Sequence, residues 1–206
     1  MVLLARALSY ALHPLLMPVL TLWLALELDP HLGYFLDPQQ RWTLLAMVAL
    51  MTIAFPVASS LLLLRAGAIR SLEMHERRER ILPFTITLLY YGMTWYLLAR
   101  TGMPNLPVLV IGATVALAAA TLITLRWKIS AHMIGIGGCL GALAALQAIH
   151  HLDLFLPLAI LVTLCGVVGT ARMLTSDHTQ AQVYMGALVG FGCVFATVVL
   201  WPSAGM

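Results

Sequence analysis

Charge is scarce in this chain of 206 residues: Asp, Glu, Lys and Arg together make up 9% of it, whereas hydrophobic residues make up 62%. A soluble domain carries about 25% charged residues, so this composition leaves too little polar surface for a soluble fold. Intrinsic disorder and nucleic-acid binding both need charge that the chain lacks. The sequence therefore predicts an integral membrane protein whose surroundings are the lipid bilayer, with no nucleic-acid partner.

Cysteine is also scarce, and its positions exclude a disulfide framework. Cys139, Cys165 and Cys193 all lie within apolar runs, and their number is odd. They are typical of small hydrophobic side chains in a packed interior.

Regular alternation of polar and apolar residues, which marks the strands of a membrane β-barrel, is missing as well. What the chain has instead is a series of uncharged apolar runs of about the 20 residues that a membrane-spanning helix needs. These runs cover residues 7–26, 42–64, 81–99, 106–125, 133–149, 154–170 and 183–202. The sequence predicts an all-α fold, a polytopic helical bundle of six to seven spans forming a single transmembrane domain over residues 1–206. Closely spaced glycines in the fifth and seventh runs predict close helix packing.

The basic residues are divided unevenly between the two membrane faces. With seven spans, nine of the eleven Lys and Arg residues fall on the face of the N-terminus, called face A, and only Arg41 and Arg100 fall on the opposite face B. The positive-inside rule places face A in the cytoplasm, and we expect a multi-pass protein of the bacterial cytoplasmic membrane. Four of the basic residues on face A are considered below as ligands. Without them, five basic residues remain on face A against two on face B, which gives the same orientation.

Three loops on face A carry most of the chemically reactive side chains: loop 2–3 (residues 70–83), loop 4–5 (residues 126–132) and loop 6–7 (residues 172–182). Arginine at the mouth of a membrane bundle is costly unless it is paired or binds an anion, and guanidinium groups fit phosphate oxygens bidentately. Two histidines on the same face, His132 and His178, suit phosphate-ester cleavage through a phosphohistidine. The alternative is that the arginines only mark cytoplasmic loops and meet lipid headgroups.

A metal site is the less favoured interpretation of the two histidines. Arg126, Lys128 and Arg172 would repel a cation, and no carboxylate or cysteine stands at ligand spacing. We therefore expect neither a metal nor another cofactor at these loops.

Loops 4–5 and 6–7 resemble the second and third motifs of the type 2 phosphatidic acid phosphatase superfamily, the membrane lipid-phosphate phosphatases. The second motif of that family is Pro-Ser-Gly-His, and the chain has Ile129-Ser130-Ala131-His132. The third motif is Ser-Arg, five residues, His, three residues, Asp, and the chain has Ala171-Arg172, His178 and Gln182 at that spacing. The first motif of the family is Lys, six residues, Arg-Pro. The basic stretch of residues 77–80 before Pro83 resembles it only loosely. The resemblance covers about residues 65–192, and it implies an active site on the outer face of the membrane, the opposite of the orientation that the basic residues favour.

The resemblance implies that His178 is the nucleophile that attacks phosphorus and that His132 protonates the leaving alcohol. The family's Asp, which orients the nucleophile and stabilises its cation, is replaced by Gln182. An amide oxygen still accepts the Nδ1 proton of histidine, but it carries no charge, so the imidazole should be less activated. The alternative is that Gln182 only caps the last span.

The resemblance also implies a set of phosphate-binding residues. Arg80 is the first choice for the first-motif arginine because it lies nearest Pro83 and hence a helix N-terminus, which favours anions. Arg77 is the second choice, and Lys128 is either a supplementary phosphate contact or an interfacial side chain. The implied set is Arg172, Ser130, Arg80, Arg77 and Lys128.

Two functions remain open at this point. The first is a metal-independent phosphatase acting on a phosphorylated membrane lipid: a phosphatidate, a phosphatidylglycerophosphate, a polyprenyl phosphate or diphosphate, or a phosphorylated lipid A. The second is a non-catalytic lipid-phosphate binder or transporter with the same pocket, which Gln182 and the degraded first motif favour. The retained Ser130, His132, Arg172 and His178 favour the enzyme, and a purely structural subunit is a distant third.

Two further groups of histidines lie outside the motifs. His13 stands beside two prolines in the first run, a pattern typical of a kinked helix with a satisfied histidine. His150, His151 and Asp153 lie at the face B interface, where solvation is the favoured interpretation and a metal cluster the alternative.

Overall fold

All the regular elements of the part of the chain that the structure describes are helices. The structure is a computed structural model, and it describes residues 2–74, 76–103, 106–175 and 178–201. Within these residues seven helices are long and apolar enough to cross a membrane: Ala5–Leu28, Pro38–Arg65, Arg77–Ala99, Leu106–Thr124, Ala131–His150, Phe155–Thr175 and Gln180–Leu200. Each contains or nearly coincides with one of the seven apolar runs, which confirms the predicted all-α helical bundle.

The first two spans are each built from two helices in series. The 3₁₀ turn Pro14–Leu16 joins the helices of the first span, and the π-helical turn Leu50–Ala54 joins those of the second. In chain order the helices are α1 (Val2–Ala11), α2 (Met17–Leu28), α3 (Pro30–Gly33), α4 (Pro38–Ala49), α5 (Phe55–Arg65), α6 (Arg77–Ala99), α7 (Leu106–Thr124), α8 (Ala131–His150), α9 (Phe155–Thr175) and α10 (Gln180–Leu200).

The break in the first span follows from its prolines and from His13. Pro14 has no backbone N–H, so it interrupts the helical ladder at that point. The Nδ1 atom of His13 accepts a hydrogen bond from the backbone N–H of Leu15 at 3.3 Å and caps the 3₁₀ turn. The predicted kink is therefore present, and it fixes the position of the His13 ring inside the first span.

Helix α8 is the centre of the bundle. Among the spans of the described residues it is the most enclosed, with 61% of its hydrophobic window buried against 17–44% for the others. A Cβ atom at Gly137 would overlap the carbonyl oxygen of Ala187, and one at Gly190 would overlap that of Ile134. Helices α8 and α10 thus pack backbone against backbone, as the glycine spacing predicts.

This close packing brings the N-terminal ends of α8 and α10 together. The backbone N–H of Ser130, just before α8, donates to the carbonyl of Gln182 in the first turn of α10 at 3.4 Å. Loops 4–5 and 6–7 are consequently side by side at one end of the bundle. The C-terminal end of α8, with His150, lies at the other end.

Candidate functional site

A cavity of about 200 Å³ opens among the helices near the face A loops. The predicted residues Arg80, His132, Arg172 and His178 all line it. The structure thus places the two histidines and Arg172 in the wall of one cavity. The histidine, arginine and acidic side chains of the cavity wall come from the first span and from all three face A loops: His13, Glu73, Arg80, His132, Arg172 and His178.

Arg80 ties two of these loops together. It lies in the first turn of α6 and only 8% of it is exposed. Its Nε donates to the carbonyl of Met74 at 2.9 Å, and its Nη1 donates to the carbonyl of Ile129 at 3.2 Å. Two of the five guanidinium donors thus hold loops 2–3 and 4–5 in place while the positive charge is kept at the cavity wall.

Arg172 lies near the C-terminal end of α9 and supplies a second guanidinium to the same wall. Its positive charge acts on His13, His132 and His178, so it lies within electrostatic range of all three rings. Glu73 also lines the cavity, and its carboxylate acts on Arg172. The cavity therefore combines two arginines with one acid that lies far from Arg172 in sequence.

His178 is held by Gln182, one helical turn further along the chain. The Nδ1 of His178 and the Oε1 of Gln182 are 3.0 Å apart. The same amide oxygen accepts the backbone N–H of Thr179 at 3.2 Å, and the Thr179 hydroxyl accepts the Gln182 N–H at 3.4 Å. Gln182 thus caps α10 and also contacts His178, so the alternative that it only caps the last span is wrong.

These bonds define the tautomer of His178. A backbone N–H needs an acceptor, so the atom of Gln182 that it meets is the amide oxygen rather than the amide nitrogen. That oxygen in turn accepts from His178, so Nδ1 carries the proton and Nε2 carries the lone pair. His178 is 7% exposed and lines the cavity.

The surroundings of His178 keep its imidazole neutral. Burial lowers the pKa of His178 from its usual 6.5 to about 4, and the positive charges of Arg80, Arg172 and Lys128 act in the same direction. The hydrogen bond to Gln182 opposes this shift. At pH 7 the side chain is therefore the free base, which is the nucleophilic form.

His132 faces His13, a site residue that sequence reasoning did not select. The Nε2 of His132 lies 3.0 Å from the carbonyl oxygen of Ser9, which only accepts, so Nε2 carries a proton and Nδ1 remains for exchange with a ligand. The ring of His13 meets that of His132 edge to face, with centroids 5.5 Å apart and an interplanar angle of 77°. The sequence feature that could have identified His13 is its position in the first span, about two helical turns from face A.

Three of the predicted phosphate ligands lie outside the cavity lining. Ser130 is fully buried at the start of α8, and its Oγ has no hydrogen-bond partner among the residues that the structure describes. Arg77 donates to the carbonyl of Leu125 at the end of α7. Lys128 is half-buried and near enough for its charge to act on His178. Lys128 therefore adds to the positive potential of the site, whereas Arg77 holds two loops together.

The rest of the cavity wall is apolar and extends inward between the helices. It is formed by side chains of α2, α5, α6, α7, α8 and α10, among them Leu22, Pro56, Phe84, Leu109, Ile134 and Val194. A molecule that fills the cavity thus meets arginine and histidine at one end and hydrocarbon at the other. This arrangement suits an amphiphile with an anionic headgroup.

The fold and the cavity together define a class of protein. Seven apolar helices within the described residues make the chain a multi-pass membrane protein, and its pocket has a cationic, histidine-containing end and an apolar end. Comparison of the chain with protein-family models, with curated proteins and with solved structures gives no match.

Proposed function

We propose that this protein is a lipid-phosphate phosphatase of the bacterial cytoplasmic membrane, of the type 2 phosphatidic acid phosphatase kind that its motifs resemble. The observation that carries the proposal is the state of His178: a neutral imidazole, fixed through Nδ1 by Gln182, with the Nε2 lone pair in a cavity that Arg80 and Arg172 line. A helical bundle suits the cytoplasmic membrane, since the spans of bacterial outer-membrane proteins are β-barrel strands.

The substrate class follows from the two ends of the cavity. Arginines bind phosphate through charge-assisted hydrogen bonds, and the apolar wall accepts an acyl or prenyl chain. The candidates are a phosphatidate, a phosphatidylglycerophosphate, a polyprenyl phosphate or diphosphate, and a lipid A phosphate. All of them present a phosphomonoester or diphosphate next to a hydrocarbon chain.

In the first chemical step the Nε2 lone pair of His178 attacks phosphorus, and the bond between phosphorus and the lipid oxygen breaks. The departing oxygen takes a proton from Nδ1 of His132, which has first received that proton from the protonated phosphate group of the bound substrate. The oxygen leaves as the lipid alcohol, or as the lipid monophosphate when the substrate is a diphosphate. The guanidinium groups of Arg80 and Arg172 stabilise the negative charge on the phosphoryl oxygens. The amide oxygen of Gln182 holds the Nδ1 proton of the ring as the ring becomes positively charged.

In the second step water hydrolyses the phosphohistidine. The water oxygen bonds to phosphorus, one of its protons passes to His132, and the P–N bond breaks. Inorganic phosphate takes that proton from His132 and leaves, and both histidines return to their neutral forms. Positive side chains occupy the place where a metal ion would otherwise neutralise phosphate, so the reaction needs no divalent cation.

The second candidate is a lipid-phosphate binder or transporter that uses the same cavity without turnover. Two observations favour it: Gln182 gives His178 a neutral partner, and Glu73 places a carboxylate in the cavity wall. In this case the arginines bind the phosphate group and the histidines only line the pocket.

The test is phosphate release from a panel of lipid phosphates by the purified protein with EDTA present. We expect wild-type release, loss of release in His178→Ala with lipid-phosphate binding retained, and wild-type release in the control His151→Asn. His151 is exposed on the opposite face at φ 53°, a conformation that asparagine tolerates. Arg172→Ala should weaken both binding and release by about 10- to 150-fold, which corresponds to roughly 1.5–3 kcal/mol.

Two results would decide against the enzyme. Unchanged release in His178→Ala would exclude the phosphohistidine, and binding without release on every lipid of the panel would support the binder. Activity that is lost on chelation and restored by magnesium or zinc would contradict the metal-independent mechanism.

A further inference from the structure

A second cluster of polar side chains lies at the face B end of the bundle. Asp29 stands in the turn between α2 and α3, His31 lies in α3, and His150 is the last residue of α8. His150 and His132 are at opposite ends of α8, separated by 18 residues or about 27 Å of helix. The cluster is therefore distinct from the phosphate cavity, and its interpretation does not depend on the proposed function.

The two histidines converge on one buried carboxylate. The side chain of Asp29 is 0% exposed, and its Oδ2 lies 2.5 Å from the Nδ1 of His150. Its Oδ1 lies 3.1 Å from the Nδ1 of His31 and accepts the backbone N–H of His31 at 2.9 Å. Asp29 and His150 are 121 residues apart in sequence, so the tertiary fold assembles the cluster.

We propose that Asp29, His31 and His150 form a binding site for a divalent transition-metal ion, with Zn²⁺ the ion that they fit best. Two imidazole nitrogens and one carboxylate oxygen are borderline donors that suit zinc, whereas Mg²⁺ and Ca²⁺ prefer oxygen ligands alone. The three protein ligands leave a fourth tetrahedral position for water on the exposed side. The sequence pattern alone favours solvation for His150 and gives no reason to group it with Asp29 or His31.

The distances match a site that closes around an ion. Each residue offers one ligand atom, and these atoms all lie within 4.8 Å of one another. Ligands on a tetrahedral zinc ion are about 3.3 Å apart, so the His150–Asp29 pair at 2.5 Å has to widen and the most widely separated pair has to close. His31 provides the movement, because its side chain is 58% exposed, whereas Asp29 is held inside the bundle and His150 is 17% exposed.

The rings already share an orientation that a single ion satisfies. Their centroids are 4.4 Å apart at an interplanar angle of 32°, and both Nδ1 atoms face the same carboxylate. A divalent ion bound at both Nδ1 atoms takes the place of any proton there, and each neutral ring then carries its proton on Nε2.

The electrostatics of face B favour a cation. Four of the eight acidic residues of the chain fall on this face, at positions 27, 29, 37 and 153, against Arg41 and Arg100. Arg41 is occupied by Glu27 at 3.5 Å and by the carbonyl of Gly33 at 2.7 Å. Face A has the opposite balance, which suits its anion cavity.

Binding should fasten the α2–α3 corner to the end of α8. These elements are joined in the metal-free protein by hydrogen bonds to Asp29, and an ion would replace them with coordinate bonds. An ion that binds only the folded protein raises its stability by mass action. The site therefore predicts a zinc-dependent rise in the melting temperature.

The experiment uses the full chain without an affinity tag, purified in detergent and stripped of metal. Titration with Co²⁺ should give one ion per chain with the intense visible absorption of tetrahedral coordination, and Zn²⁺ should displace it while Mg²⁺ should not. His31→Ala, an exposed change, should lose the tetrahedral spectrum and the zinc-dependent rise in melting temperature. His151→Asn, the neighbouring histidine outside the cluster, should keep both.

Three outcomes would overturn the proposal: a wild-type protein that binds Co²⁺ no more tightly than His31→Ala, an octahedral spectrum in the wild type, or equal losses in His151→Asn and His31→Ala. Asp29→Asn provides a second variant that keeps the side-chain volume but removes the charge. A folded Asp29→Asn protein that binds Zn²⁺ as tightly as the wild type would also contradict the site.

Discussion

The Nδ1 atom of His178 lies 3.0 Å from the amide oxygen of Gln182, and the same oxygen accepts the backbone N–H of Thr179. One side chain therefore caps α10 and selects the tautomer of the candidate nucleophile. A carboxylate in this position would do the same with a full negative charge.

The first prediction concerns the charge of that partner. Gln182→Asp should raise kcat, because a carboxylate orients the imidazole and stabilises its cation in the transition state. The control is Gln180→Asp, which adds the same charge at an exposed position in the first turn of α10. An equal rise in both variants, or no rise in Gln182→Asp, would show that the partner of His178 does not limit turnover.

The pH dependence of the reaction provides the second prediction. The pKa of His178 is lowered to about 4, so the nucleophile stays unprotonated down to that pH and the acid limb of kcat/KM should fall there rather than near 6.5. Lys128→Ala should move this limb to higher pH, since it removes a positive charge that lowers the pKa of His178. A limb near 6.5 in the wild type would contradict a buried, neutral nucleophile.

The same pKa has a consequence for folding stability. The unfolded chain protonates this histidine at its ordinary pKa of 6.5 and the folded chain only at about 4, so the unfolded state binds more protons between these values. The stability that His178 contributes is therefore complete above 6.5 and is lost as the pH falls towards 4.

The third prediction concerns Glu73, which lines the cavity beside Arg172. Glu73→Gln should tighten the binding of inorganic phosphate and lower KM by up to about fivefold, because it removes a repulsion of the size of an exposed charge pair, roughly 0.2–1 kcal/mol. The control is Glu76→Gln in the same loop, whose carboxylate pairs with Arg70 at 3.0 Å. Weaker phosphate binding in Glu73→Gln would mean that the carboxylate positions Arg172 rather than repels the ligand.

The fourth prediction tests the packing that places the two motif loops side by side. Gly190→Ala should destabilise the bundle by about 1–3 kcal/mol or more, because the new methyl group would overlap the carbonyl of Ile134. Gly192→Ala should leave stability unchanged, since nothing lies within 4 Å of a Cβ atom there. Thermal unfolding in detergent measures both, and equal melting temperatures would contradict the backbone contact between α8 and α10.

The sequence alone predicted the spans and part of the site, because both are expressed in local patterns. An apolar run of about 20 residues indicates a membrane-spanning helix regardless of the sequence around it. Span parity then put His132, Arg172 and His178 at one end of the bundle. The resemblance placed Gln182 four residues after His178 as its partner, and the structure forms this contact around the N-cap of α10.

Only the tertiary structure decided which distant residues complete each cluster. His13 contacts His132 because a proline break in the first span places its ring inside the bundle. Glu73 lines the cavity from a loop, and the path of a loop cannot be predicted from residue periodicity. Arg80 lines the cavity whereas Arg77, three residues earlier, instead bonds the end of α7. Asp29 and His150 meet across 121 residues. Residue spacing specifies neighbours along one helix, but contacts between helices depend on how the helices cross. In this bundle the glycines of α8 and α10 bring those two helices into backbone contact.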